Sequence, residues 1–214
     1  MATRKSKTQW GDREARFLDI CRAGAEVLAK EGLANLNMRT VAEGAQVSLG
    51  TLYTYFTSKE ELFAVLYAER LERLVAELAL SCAAAKTPQE VLVIVAEQYF
   101  DVYAVFGREL NLVSLMAGEK LEQEIAPAVA GRLVSAARQV IATAWMAVAR
   151  LDPALAGMRE EQRLLAVRLV WATMVGLADQ VSGIRHRLHA GTRRELTEFA
   201  ARVLTAGIEA VRGG

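Results

Sequence analysis

The sequence predicts an all-α fold, and three observations carry that prediction. Hydrophobic residues make up 53% of the 214 positions and only 3 are proline, with Ala, Leu, Arg and Glu frequent, which is a helix-former's composition. Apolar residues recur at spacings of three and four over long stretches, the period of an amphipathic helix, and strand-like alternation is absent. Ser58–Glu61, Thr87–Glu90 and Thr192–Glu195 each place a hydroxyl three residues before a glutamate, a pair that satisfies the orphan N–H groups of a helix start. A chain this long can bury a core of its own, as one large or two small domains.

The elements follow in order. From Arg13 to Lys30, Phe17, Ile20, Cys21, Gly24, Val27 and Leu28 form one apolar stripe, ended by Gly32. Met38–Ala45 and Leu49–Phe56 are two short pieces around the turn Gln46-Val47-Ser48, too short to be stable without packing together. The Ser58 box opens a helix through Leu62, Leu66, Arg70 and Val75, and Thr87-Pro88 opens one that runs to about Phe106 and stops at Gly107. A shorter segment, Glu109–Ala117, carries Leu110, Val113, Leu115 and Met116. Pro127 starts a helix to Ala149, halted by Leu151-Asp152-Pro153. Glu160 to about Val181 is apolar on nearly every side from Leu164 to Leu177 and is expected to be buried on all sides. The Thr192 box opens a last helix to Val211 with two apolar stripes, Leu196, Phe199, Val203, Gly207 and Ala201, Leu204, Ile208, Val211, which call for two partners.

Charge and cysteine usage narrow the function classes. The 26 basic and 25 acidic residues leave a net charge of +1, so any nucleic-acid affinity needs a local patch. Cys21 and Cys82 form no metal-ligand spacing or disulfide framework, and both read as small packed hydrophobes. His186 and His189, at i and i+3, have no cysteine or carboxylate cluster near them and read as solvated loop residues, so no metal and no cofactor is expected. No Gly-rich phosphate loop, nucleophile elbow or paired carboxylate points to an enzyme. Met1–Gly11 is polar and basic without an apolar run behind it, and Arg168 interrupts the most hydrophobic stretch, so a cytoplasmic protein without membrane contact is expected.

Residues 38 to 57 carry the functional signal. Two short helices joined by a tight turn, with Val41, Ala42, Val47 and Leu52 inward, are the sequence form of a helix-turn-helix. The second helix then offers Ser48, Leu49, Gly50, Thr51, Tyr53 and Thr54, small or polar enough to enter a major groove about 12 Å wide.

Ala23 through Phe63 resembles the N-terminal domain of the TetR family of transcriptional repressors. The matching residues are Gly32, Val41-Ala42, Ala45-Gln46-Val47-Ser48, Gly50-Thr51-Leu52-Tyr53, Tyr55-Phe56 and Ser58-Lys59-Glu60-Glu61-Leu62. The resemblance implies a three-helix DNA-binding head and a six-helix body that binds an effector and dimerises through its last two helices. It implies domains at 1–12 (a flexible basic arm), 13–60 (the head) and 61–214 (the body). Tyr55 and Lys59 then look like phosphate contacts, and Thr51 and Tyr53 look like groove readers with Thr40, Ser48, Leu49, Gly50 and Thr54 around them. Two departures stand out. Gln46 occupies a turn position that is usually glycine in the family, and Leu49 one that is often lysine, which suggests a thymine methyl as its partner. Arg4, Lys5, Lys7, Arg13 and Arg16 add electrostatic attraction and a candidate minor-groove arm.

In the body, Tyr99, Tyr103, Asn111, Met116, Thr143, Trp145, Trp171 and Met174 are the candidate effector contacts, with Thr173 and Gln180 as further polar groups, since a pocket in a helical body is apolar with few orienting polar groups. The expected function is a homodimeric regulator that binds a double-stranded operator and responds to a small, uncharged or weakly charged, hydrophobic or aromatic effector. A helical binding or adaptor module that has lost specific DNA binding is the rival, motivated by Gln46, Leu49 and the near-neutral charge.

Overall fold

The computed structural model describes residues 9–32, 35–107, 125–182 and 192–212. Arg4, Lys5, Lys7, the segment Glu109–Ala117 with Asn111 and Met116, and His186 and His189 lie outside the described residues. Nine α-helices are described: α1 (Gln9–Glu31), α2 (Met38–Gly44), α3 (Leu49–Tyr53), α4 (Lys59–Ser81), α5 (Pro88–Phe106), α6 (Pro127–Leu151), α7 (Pro153–Ala156), α8 (Glu160–Ser182) and α9 (Arg193–Arg212). A 3-10 turn, Cys82–Ala84, follows α4. The all-α expectation holds. Helix α1 begins at Gln9 rather than Arg13, and α7 was not expected, because Leu151-Asp152-Pro153 reads as a stop. Asp152 instead caps α7, its Oδ1 accepting from the Ala154 N–H at 3.0 Å, and Pro153 takes the first helical position.

The described residues divide into two compact units. The first runs to Tyr67 and includes the first turn of α6 to Gly131. Its core is Ile20, Leu28, Val41, Leu52, Phe56, Leu62 and Phe63, all buried. Gly24 is in the α1 stripe for a steric reason: a Cβ there would stand 3.2 Å from a Leu62 methyl and 3.3 Å from one of Leu66, so its absence lets α1 cross closely over α4. The Ser58 Oγ caps α4 through the Glu61 N–H at 3.0 Å. The buried Glu61 carboxylate reaches one residue further back than a reciprocal box requires, accepting both the N–H and the hydroxyl of Thr57 at 2.6 Å.

The second unit takes α4 from Ala68, α5, α6 from Arg132, α7, α8 and α9. Helix α5 is its spine, packed against α8 and α9 and burying Val91, Ala96, Tyr99, Phe100 and Val102. Arg193, the first residue of α9, clamps onto α5: it pairs with Glu97 at 2.9 Å, donates to the Glu97 carbonyl at 2.6 Å and lies 4.7 Å from the Phe100 ring centroid. Arg150 of α6 donates to the Cys82 and Ala85 carbonyls at 3.0 and 3.3 Å, closing the end of α4. Burial raises the Cys82 thiol pKa against the opposing pull of Arg150, in keeping with a packed thiol.

One expectation is corrected here. Helix α8 is not buried on all sides within the chain: Ala166, Met174 and Ala178 are buried, but Leu164, Leu165 and Leu169 are 53%, 66% and 56% exposed. Its inner edge meets α5 and α9, and nothing described covers the opposite one. The same helix, over Glu160–Val181, is long and apolar enough to cross a membrane by length and composition, a property it shares with core helices. The two stripes of α9 separate as expected. Ala201 and Leu204 are buried, while Leu196, Phe199 and Val203 are exposed.

Candidate nucleic-acid interface and effector cavity

The helix-turn-helix is built by two caps and one strained residue. Asn37 Oδ1 accepts from the Arg39 N–H at 2.8 Å to start α2, a cap that sequence periodicity did not single out. Between the helices Gln46 stands at φ 56, the left-handed conformation its usual glycine would supply, and its N–H is bonded to the Glu43 carbonyl at 3.1 Å. Ser48 then caps α3, its Oγ accepting from the Thr51 N–H at 3.0 Å and lying 2.8 Å from Thr51 Oγ1. Leu52 and Phe56 are the buried anchors beneath.

The outer face of α3 is open. Ser48, Gly50, Tyr53 and Thr54 are exposed and Leu49 and Thr51 half-buried. Ser48 serves first as the cap, and the Thr54 hydroxyl donates to the Thr51 carbonyl at 2.7 Å, leaving its lone pairs as acceptors. Tyr53 carries the largest free side chain on this face, 49% exposed. Thr40, Leu49, Tyr53 and Lys59 border one polar groove together with Arg39, a cation that the sequence reading did not name. Lys59 opens the 23-residue helix α4, beside the first-turn N–H groups that a helix leaves without intrahelical partners. Tyr55 is half-buried at the other edge, with the Arg13 guanidinium 5.7 Å from its ring centroid.

The second unit holds a cavity of about 70 Å³ between α5, α6, α7, α8 and α9. Trp145, Trp171 and Met174, three of the candidate effector contacts, line it. Tyr99, Tyr103 and Thr143 do not: Tyr99 is buried behind the wall with its ring 4.9 Å from Trp171, and the Tyr103 hydroxyl donates to Asp179 at 3.4 Å. Leu92 and Val95 of α5, Leu155 of α7 and Ile208 of α9 are among the other residues of the wall. Thr205 is the single hydroxyl in the lining, and it donates to the Ala201 carbonyl at 2.7 Å. The cavity is therefore apolar, and among the described residues no ionisable side chain lines it. Among the described residues no group of three or more His, Cys, Asp or Glu is placed to hold a metal ion.

Two short helices capped by Asn37 and Ser48 around the Gln46 turn, the outer face of the second left open, define a helix-turn-helix. Residues 20–66 match the bacterial regulatory proteins of the tetR family. The Fatty acid metabolism regulator protein of Bacillus subtilis strain 168 is 27% identical over 89 residues, 42% of this chain and 46% of that protein. The HTH-type transcriptional repressor KstR of Mycolicibacterium smegmatis is 37% identical over 81 residues, 38% of either chain. The matches thus span less than half of these curated relatives. Among solved structures, FadR from Bacillus subtilis in complex with stearoyl-CoA superposes with a TM-score of 0.59 at 18% identity, covering 89% of this chain and 98% of that one. A TetR regulator from Rhodococcus sp. RHA1 gives 0.59 at 20%, covering 90% and 97%, so the fold likeness takes in the body as well as the head. The likeness to the tetR family in sequence rests on residues 20–66; over the whole length the likeness is one of fold.

Proposed function

We propose that the chain is a ligand-responsive repressor that binds a pseudo-palindromic double-stranded operator as a homodimer and leaves it when a small apolar effector enters the body cavity. The open face of α3, flanked by Lys59 and Arg39, is the observation that carries this reading. In it, Leu49, Gly50, Thr51, Tyr53 and Thr54 meet base edges, and Thr40, Ser48, Tyr55 and Lys59 meet the backbone and fix the register. Two heads must enter major grooves about 34 Å apart, so their spacing is the quantity an effector acts on. A ligand that prefers the wrongly spaced conformer lowers operator affinity by its differential binding energy.

The cavity wall supports an uncharged apolar effector, aliphatic or aromatic, because a buried ion there would have no partner. FadR from Bacillus subtilis is solved with stearoyl-CoA; in this chain the cavity suits the hydrocarbon part of such a ligand. Pockets that enclose small ligands span roughly 300–1,000 Å³, so an occupant must part the helices around the present 70 Å³, and that movement is the signal.

Salt-dependent gel shift on the DNA upstream of its own coding region tests the reading. Lys59→Ala is expected to weaken binding to every duplex and to lower the log–log salt slope by about 0.9, one phosphate. Thr51→Ala and Tyr53→Ala are expected to change base preference instead. A wild-type protein with no salt-dependent affinity for any duplex overturns the repressor in favour of the adaptor. For the cavity, an apolar effector is expected to quench the tryptophan fluorescence, and Trp145→Ala to lose that response while keeping operator affinity.

A further inference from the structure

We propose that Arg13 is a DNA-contacting residue and that it holds one backbone phosphate jointly with Tyr55, an inference that rests on the operator-binding reading above. Arg13 and Phe17 stand one turn apart on α1 and so share a face. Phe17 stacks on Phe56 with ring centroids 5.6 Å apart and planes at 26°, and Arg13 lies over Tyr55, the residue before it. Tyr55 and Phe56 are themselves fixed by α3, since both N–H groups donate to the Leu52 carbonyl, at 2.9 and 3.1 Å. The start of α1 is thereby registered against the end of the reading helix.

The chemistry of the pair favours a phosphate. A guanidinium over an aromatic ring uses its face for the π-system, while its N–H donors point outward in the plane. That fork suits two phosphate oxygens, and the Tyr55 hydroxyl is a further donor on the same side chain pair. Arg13 is exposed and has no ion pair among the described residues, whereas Arg22, on the same helix, is tied to Asp19 at 3.1 Å. The ring stack orients Arg13 without neutralising it.

The test uses the full chain and a duplex carrying the operator, with fluorescence anisotropy between 50 and 200 mM salt. Arg13→Met keeps the stem on the ring and removes the charge. It is expected to weaken operator and unrelated duplex alike and to lower the salt slope by about 0.9, so that affinity lost across that salt range shrinks by roughly threefold. Arg13→Lys should keep the slope and lose part of the affinity, and Tyr55→Phe should keep the slope and cost more affinity in the parent than in the Arg13→Met background. Circular dichroism and melting temperature establish that each variant is folded; Arg13→Gln replaces Arg13→Met if that variant is not. An unchanged slope in the folded charge-removal variant overturns the proposal even where affinity falls, because a merely structural peg for α1 leaves the slope alone. A wild type that binds no duplex overturns the operator reading and this inference with it.

Discussion

Gln46 is the residue at which the helix-turn-helix carries strain. At φ 56 the Cβ of a non-glycine residue crowds the following carbonyl, at about 1–2 kcal/mol. The turn keeps it there through the Gln46 N–H on Glu43 and the Val47 N–H on the Ala42 carbonyl at 3.0 Å. The exposed side chain does not offset the strain by burial. Gln46→Gly relieves it but frees the unfolded chain by about 0.4–1 kcal/mol, so a net gain of roughly 0.5–1 kcal/mol is expected in urea unfolding, and Gln46→Val is expected to lose at least as much. A glycine variant less stable than the parent would show that the side chain has a stabilising contact after all. This strained site was legible in the sequence, because the resemblance placed a glutamine where glycine is usual. The Arg13–Tyr55 contact was not, since cation–π pairs across 42 residues leave no periodic trace in the sequence.

At the scale of the element, ion pairs tie helices together, and one of them gives a pH signature. Arg132 of α6 donates to both carboxylate oxygens of Glu72 on α4, at 2.8 and 2.7 Å, and lies 4.0 Å from Glu69. The Arg132 bond holds the Glu72 carboxyl below its ordinary range. A carboxyl depressed in the folded state contributes stability that is present above its ordinary pKa and lost as pH falls through the lower folded value. Burial chiefly, against the pull of Arg132 and Arg73, raises Glu69, which works the other way and favours the fold at low pH. Glu72→Gln should therefore cost at most about 1 kcal/mol at neutral pH, both partners being more than a third exposed, and the difference should vanish in acid. Equal unfolding midpoints for parent and variant at neutral pH would leave the pair without effect. Helix positions and caps were legible at this scale because hydroxyl–glutamate boxes and apolar stripes are local; the Thr192 box forms reciprocally, at 3.2 and 2.7 Å. The cavity was only partly legible. A stripe groups Ile208 with Ala201 and Leu204, but whether such residues meet packing or empty space depends on how five helices come together, so Trp145, Trp171 and Met174 were named from the sequence as candidates while Leu92 and Val95 of the α5 wall were not.

At the scale of the whole molecule, the exposed large apolar side chains among the described residues fall mostly on two helices in contact, α8 and α9. Leu164, Leu165 and Leu169 on α8 and Leu196, Phe199 and Val203 on α9 are exposed, and a Cβ at Gly176 or Gly207 would meet nothing within 4 Å. Faces of this kind on a folded chain call for a cover, and in the proposed homodimer a second copy of the same pair would supply it as a four-helix bundle in which the glycines admit close backbones. Sequence periodicity places Ile208 with the buried stripe of α9, and the structure puts it on the cavity wall, so a charge there is expected to report on the proposed effector cavity rather than on the proposed dimer. Phe199→Asp and Leu165→Glu are the sharper variants. Each is expected to keep its helicity, to sediment as a monomer at micromolar concentration and to lose tight operator binding, because one head reaches only one half-site and gives up the linkage of the second. Ile208→Asp is expected to remain dimeric and to blunt the effector response. A wild type that is monomeric at micromolar concentration, or a Phe199→Asp protein that stays dimeric and tightly bound, would place the interface elsewhere and leave the exposed stripes to another partner.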